Sequence, residues 1–191
     1  MSIQILGISG SPVPNSNIDR LVLQVMQASG LEYEFVKLSH LQVGPCRACK
    51  ACVEDNICKV QDDFPELARK LQEAKGLVIG GYTPSGVVDA LTKAFLERLC
   101  SMRHLNNLYE QKNVVTIISG LSKQARELAL KSIATVLSME NMNLVSQLSI
   151  EENVPFLSAV EDQPVWEKAT RSGKLLGQFI TEEIECWLDY E

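Results

Sequence analysis

The stretch Ile3-Gln4-Ile5-Leu6-Gly7-Ile8-Ser9-Gly10-Ser11-Pro12-Val13-Pro14-Asn15-Ser16-Asn17-Ile18 decides the fold. Positions 3–8 form an apolar run of strand length, and Ser9-Gly10-Ser11-Pro12 ends it. Beyond the loop, Ile18, Leu21, Val22, Val25 and Met26 recur at helical spacing over 18–28, and Gly30 closes that helix. A buried strand, a polar loop and an amphipathic helix form the opening of a βα crossover, the unit from which parallel sheets are built.

The same alternation continues outward. Positions 32–38 alternate as a strand does. Asp63 reads as an N-cap with Glu66 three residues on, a capping box opening a helix to about position 74. Strands are expected over 77–81, 113–118 and 144–150, and helices over 89–102, 124–140 and 165–188. Ala90, Leu91, Ala94, Phe95 and Leu99 share one face of the 89–102 helix. Five strands alternating with helices predict an α/β doubly wound fold with a mainly parallel sheet covered on both faces. At 191 residues, with no repeat, low-complexity tract or linker, a single domain over 1–191 is expected. It carries a cysteine-rich loop at 40–60 and a C-terminal helix at about 165–188.

Composition narrows the function. Eighteen Lys+Arg against 24 Asp+Glu give a net charge of −6, which argues against a nucleic-acid partner. No apolar run reaches the ~18–20 residues of a membrane span. The start, Met-Ser-Ile-Gln-Ile-Leu, lacks a basic signal region, so a cytoplasmic location is expected. A GxxxxGK[ST] loop is missing, which excludes a P-loop nucleoside triphosphatase, and the lack of GxGxxG weakens dinucleotide binding. Nor is there a Ser-His-Asp constellation, an HExxH or a suggestive carboxylate pair.

In doubly wound sheets the ligand sits beyond the carboxyl ends of the strands, where the strand order reverses. The first such loop offers Ser9, Gly10, Ser11, Pro12, Ser16 and Asn17 at a helix N-terminus, with no Lys or Arg. Hydroxyls, amides and unpaired helix N–H groups suit a phosphate, and the same residue types also serve as plain caps. Tyr82-Thr83-Pro84-Ser85-Gly86, after the third strand, is the second candidate contact or else a tight turn. Ser119-Gly120, after the fourth strand, is the third and least specific.

The run Cys46-x2-Cys49-x2-Cys52-x5-Cys58 is the sharpest local signal. Three cysteines at three-residue intervals and a fourth after a short excursion can wrap a cubane cluster. Lys59, not Pro, follows Cys58, so this is not a ferredoxin domain. Zinc favours two Cx2C pairs separated by a longer stretch and fits poorly. Reversible disulfides or a reactive thiol stay open. Cys100 reads as a core residue of the 89–102 helix, and Cys186 as a bland one. His104 reads as a surface or capping residue, and His40 as one that orients the cysteine loop. Trp166, Trp187 and Tyr190 are expected to pack on the sheet or a second subunit, with Glu182, Glu183 and Glu185 on a solvated face.

Through Gly7-Ile8-Ser9-Gly10-Ser11-Pro12 followed by Ser16-Asn17, the chain resembles the flavodoxin-like NAD(P)H-dependent FMN reductase superfamily. The resemblance implies a five-stranded sheet in the order 2-1-3-4-5 and FMN as cofactor. It places the FMN phosphate on Ser9, Ser11, Ser16 and Asn17, with Gly10 supplying the turn; Ile18 stands where the family often has Thr or Ser. Thr92-Lys93-Ala94-Phe95-Leu96-Glu97-Arg98 is similar to the family's next helix, but Tyr82 precedes Pro84 instead of following it. The cysteine spacing on this scaffold looks like that of the iron–sulfur flavoproteins. That branch implies a [4Fe–4S] cluster on Cys46, Cys49, Cys52 and Cys58, with Arg47, Lys50 and Lys59 offsetting its charge. The chain is then an oxidoreductase or electron-transfer flavoprotein in which flavin carries the chemistry. Its partners would be NAD(P)H or ferredoxin, and its assembly a homodimer or homotetramer that sets one subunit's cluster near another's flavin. Two alternatives stand beside it: an NAD(P)H-dependent FMN or quinone reductase without a cluster, and a cysteine-based metal or redox sensor without turnover.

Overall fold

Strands β1 (Ile5–Ser9), β2 (Tyr33–Lys37), β3 (Gly76–Tyr82), β4 (Asn113–Ser119) and β5 (Asn143–Ile150) lie parallel in the order β2-β1-β3-β4-β5. They belong to a computed structural model that describes residues 3–152, 160–162 and 164–181. Helices α1 (Asn17–Ala28), α2 (Phe64–Glu73), α3 (Ala90–Leu99), α4 (Lys123–Met139) and α5 (Pro164–Thr181) cover the sheet. Alternation along each strand sorts side chains between two cores. Leu6, Ile8, Leu77, Ile79, Val114 and Ile118 meet α2, α3 and α4, whereas Ile5, Val78, Val115 and Ile117 meet α1 and α5. This is the flavodoxin-like arrangement expected, with the order reversing between β1 and β3.

Two glycines bring α1 close to the central strands. A Cβ on Gly7 would lie 2.4 Å from Met26 Sδ, and one on Gly80 would lie 2.7 Å from Ile18 and Val22 methyls. The N-terminus of α1 is thereby fixed over the switch point. At the other end Gly30 has φ +72° and donates to the Gln27 carbonyl, so it closes the helix as expected.

The structure corrects three local expectations. Asp63 makes no capping bond to α2. Pro65 removes one of the donors a cap would satisfy, and the Asp63 carboxylate instead takes the Gln42 N–H at 2.6 Å. A capping box does occur, at Ser16 and Asp19 of α1. The 89–102 segment is helical only to Leu99, after which Cys100–Met102 tightens into a 3-10 turn. That turn removes Cys100 from the apolar helix face. The 182–188 part of the predicted last helix, with Cys186, Trp187 and the Glu182, Glu183 and Glu185 run, lies outside the described residues, as does Tyr190. Among the described residues no helix is long and apolar enough to cross a membrane.

Candidate functional site

The loops after β1, β3 and β4 meet beyond the carboxyl ends of the strands. Gly10 donates its N–H to the Gly80 carbonyl at 2.8 Å, and Thr83 donates to the Ser119 carbonyl at 2.9 Å. A Cβ on Gly10 would fall 1.9 Å from Thr92 Oγ1, and one on Gly120 would fall 1.9 Å from Thr83 Oγ1, so both approaches need glycine. Asp89 closes the second loop by accepting from the Tyr82 and Thr92 N–H groups at 3.1 and 2.8 Å. Burial raises the Asp89 pKa against these bonds, and burial and then Asp89 raise that of Tyr82. Tyr82 and Thr83 are half-buried; Pro84, Ser85 and Gly86 stand exposed at the mouth.

The first loop is built around Asp19. Its Oδ1 accepts from Ser9 Oγ at 2.5 Å, and its Oδ2 accepts from the Ser16 N–H at 3.1 Å and from Lys37 Nζ at 2.6 Å. Lys37, at the end of β2, also donates to the Val13 carbonyl at 2.8 Å. A cation therefore does stand beneath the loop, and Asp19 neutralises it. Ser9 is fully buried, and its hydroxyl holds the loop from inside. Ser16 Oγ accepts from the Asp19 N–H, which leaves its hydroxyl hydrogen available to donate. The N–H groups of Asn17 and Ile18 open α1 and have no intrahelical acceptor. The Asn17 carboxamide is 1% exposed, and its oxygen finds no partner among the described residues. That oxygen is an acceptor and does not itself bind an anion, whereas the free N–H groups and the helix dipole fit the phosphate of FMN.

The cysteine loop forms a second centre. Cys46, Cys49, Cys52 and Cys58 line one pocket, together with Arg98 and Cys100. Arg47, Lys50 and Lys59 lie on its rim, and Lys59 also pairs with Asp55. The backbone is left-handed at Ala48 and Lys50, φ +52° and +59°, a costly conformation for residues with a Cβ. The turn lets the Ala48 N–H reach Cys46 Sγ at 3.4 Å. Burial raises the Cys52 pKa, with the other three thiols adding to it. Among the described residues no three Cys, His, Asp or Glu side chains converge tightly enough for a single ion.

Two clamps hold this loop. At its neck Asp62 accepts the Gly44 N–H at 3.2 Å, and Arg98 donates to the Gly44 carbonyl at 3.1 Å. At its tip the buried Asn56 accepts from the His104 and Leu105 N–H groups and donates to the Asn106 carbonyl at 2.8 Å. The side chains of His104 and His40 are exposed.

Sequence reasoning missed Lys37, Asp19, Arg98, Asp62 and Asn56, and it took Cys100 for a core residue. Cys100 lines the thiol pocket, where burial and then Cys46 push its thiol up to about 12. A signal for Arg98 did exist: it lies three residues after Phe95 and seven after Leu91, on the apolar stripe of its helix. Lys37 gave no signal, because its partner is eighteen residues away in sequence.

Comparison with known proteins bears on both centres. Residues 3–153 match the family model described as NADPH-dependent FMN reductase. An iron–sulfur flavoprotein of Methanosarcina thermophila is 27% identical over 178 residues, covering 91% of this chain and 93% of its own. Among solved structures, a flavone reductase superposes with TM-score 0.73 at 19% identity, over 95% of this chain and 64% of that one. RosB, described with bound 8-demethyl-8-formylriboflavin-5'-phosphate, superposes with TM-score 0.71 at 14% identity, over 95% of this chain and 81% of its own.

Proposed function

The chain belongs to the NADPH-dependent FMN reductase family, and from that premise we propose an FMN oxidoreductase that also carries a [4Fe–4S] cluster on Cys46, Cys49, Cys52 and Cys58. That it is an FMN-binding oxidoreductase flavoprotein follows from the family; the cluster, the electron donor and the assembly are the proposal. The gathering of the four thiols around one cationic pocket carries it. The Cx2Cx2Cx5C spacing fits the paired Cx2C arrangement of zinc sites poorly, and likeness to an iron–sulfur flavoprotein over 91% of the chain supports the cluster.

When bound, FMN takes up electrons in pairs and releases them singly, and a cluster takes them one at a time. The chain's own part is binding and placement. Ser16, Asn17 and the α1 N-terminus take the phosphate; Ser11 and Pro12 complete that loop. The 82–86 and 119–120 loops, locked together through Thr83, form the wall for the flavin ring. Arg47, Lys50 and Arg98 offset the negative charge of a thiolate-bound cluster.

α3 begins beside the flavin loops and ends at the thiol pocket, and its ten residues span ~15 Å. That separation within one chain favours a homodimer or homotetramer in which one subunit's pocket faces another's flavin loops. NAD(P)H or reduced ferredoxin would supply electrons at the exposed mouth around Pro84, Ser85 and Gly86.

The test is anaerobic purification and reconstitution with iron and sulfide. One FMN and about four iron per chain are expected, with visible absorption that bleaches under dithionite. Cys49→Ser should lose the iron and keep the flavin. Unchanged iron in that variant would show the ligand set to be wrong. Flavin with NAD(P)H turnover and no iron would favour a cluster-free reductase, and stoichiometric zinc without turnover would favour a sensor.

A further inference from the structure

We infer that Arg98 is a positioning residue for the cluster: it holds the Cys58 sulfur and sets how readily the bound cluster accepts an electron. The inference rests on the cluster reading above. Arg98 is 1% exposed and lies in the last turn of α3 with its guanidinium 4.6 Å over the Phe64 ring. Four of its five N–H bonds are accounted for. One nitrogen donates to the Gly44 carbonyl at 3.1 Å and to Asp62 Oδ2 at 2.6 Å. The other donates to Asp62 Oδ1 and to Cys58 Sγ, each at 3.1 Å. Cys46 receives a bond from a loop amide within its own exposed turn and a side-chain bond from Cys100. The tie on Cys58 differs in kind, because it comes from a full positive charge.

Charge and burial together give the bond its effect. A donor on a ligand sulfur draws electron density from it, and a buried cation favours the more negative, reduced cluster. Lys59 cannot do this as strongly, since its side chain is 47% exposed and paired with Asp55. Asp62 opposes Arg98, because its ionised carboxylate, paired with both guanidinium nitrogens, cancels much of the cation's field. The pair therefore acts on the cluster with opposite signs: Arg98 raises the potential and Asp62 lowers it.

Those opposite signs separate this role from a merely structural clamp. The full chain with FMN, reconstituted anaerobically, is titrated with dithionite while the reduced-cluster signal is followed by electron paramagnetic resonance. Arg98→Met keeps the stem on Phe64 and removes the charge and the N–H to sulfur. It should weaken the hold on the added electron at least tenfold, a shift of about 59 mV to more negative potential for a one-electron couple. Asp62→Asn leaves the N–H on Cys58 and removes the opposing charge, so its potential should move the other way. Arg98→Lys keeps the charge without the fork and should fall between wild type and Arg98→Met, which preserves the test if Arg98→Met holds no iron. Unchanged potentials, or shifts of Arg98 and Asp62 variants in the same direction, would overturn the role of Arg98 alone. A wild-type chain that takes up no cluster would overturn both this role and the reading beneath it.

Discussion

Lys37 and Asp19 show how a single ion pair shapes a loop that looked neutral. Their side chains are 6% and 5% exposed, and Asp19 also anchors Ser9 and Ser16. Removing one partner of such a pair strands a buried charge. Lys37→Met should therefore cost ~3–5 kcal/mol in urea unfolding. Pairing it with Asp19→Asn should recover most of that loss, because no lone charge remains. Ser11 is buried, with its Oγ accepting from the Val13 N–H, and it tests the phosphate assignment. Ser11→Asp sets a carboxylate against a bound phosphate, so flavin content after purification should fall at least tenfold. A variant that retained full flavin would place the phosphate elsewhere. Of the loop residues named from sequence, Ser16 and Asn17 present backbone N–H groups or a hydroxyl hydrogen not used inside the loop, whereas the Ser9 hydroxyl is committed to Asp19. The residue types were legible in the chain; the direction each hydroxyl points was not, because Asp19 and Lys37 settle it.

At the scale of elements, α5 meets α1 through two glycines. A Cβ on Gly173 would lie 2.3 Å from the Val25 carbonyl, and one on Gly177 would lie 2.5 Å from that of Ser29. Gly173→Ala must push the helices apart and should cost ~1–3 kcal/mol by urea unfolding, with iron uptake unchanged. The cysteine loop is an element of another kind, held at neck and tip by side chains. Asn56→Ala removes the tip clamp, so amide hydrogen exchange over 50–58 should accelerate while the sheet stays protected. The neck responds to acid. Burial works against the charge on Asp62, but hydrogen bonds from Arg98, Phe64 and Gly44 outweigh it and hold the carboxyl below its usual range. An ionised group with a depressed pKa contributes in full above the ordinary carboxylate value and is lost as pH falls through its folded value. Exchange at the loop neck should therefore rise only below about pH 4, with no change between pH 5 and 7. The cap expected at Asp63 does not form: Pro65 removes one donor, and the side chain closes the loop on Gln42 instead.

Across the whole molecule the two candidate centres depend on different supports. The flavin loops stand on the central strands β1, β3 and β4, whereas the thiol loop leans on α3 and on side-chain clamps that need no iron. Chelating the iron from a reconstituted protein should leave the far-ultraviolet circular dichroism and the FMN content unchanged; loss of flavin along with iron would show the centres to be one cooperative unit. What the chain could declare by itself was local. Apolar periods gave the alternation of strands and helices, and from it the parallel sheet. The Ser-Gly-Ser-Pro loop and the cysteine spacing marked where the chemistry sits, since each lies within a few residues of chain. Tertiary structure alone decided that Lys37 neutralises Asp19, that Arg98 holds Cys58, and that Cys100 faces the thiol pocket and not the core. Each of these joins segments from eighteen to more than fifty residues apart, brought together by crossovers whose packing no local pattern encodes.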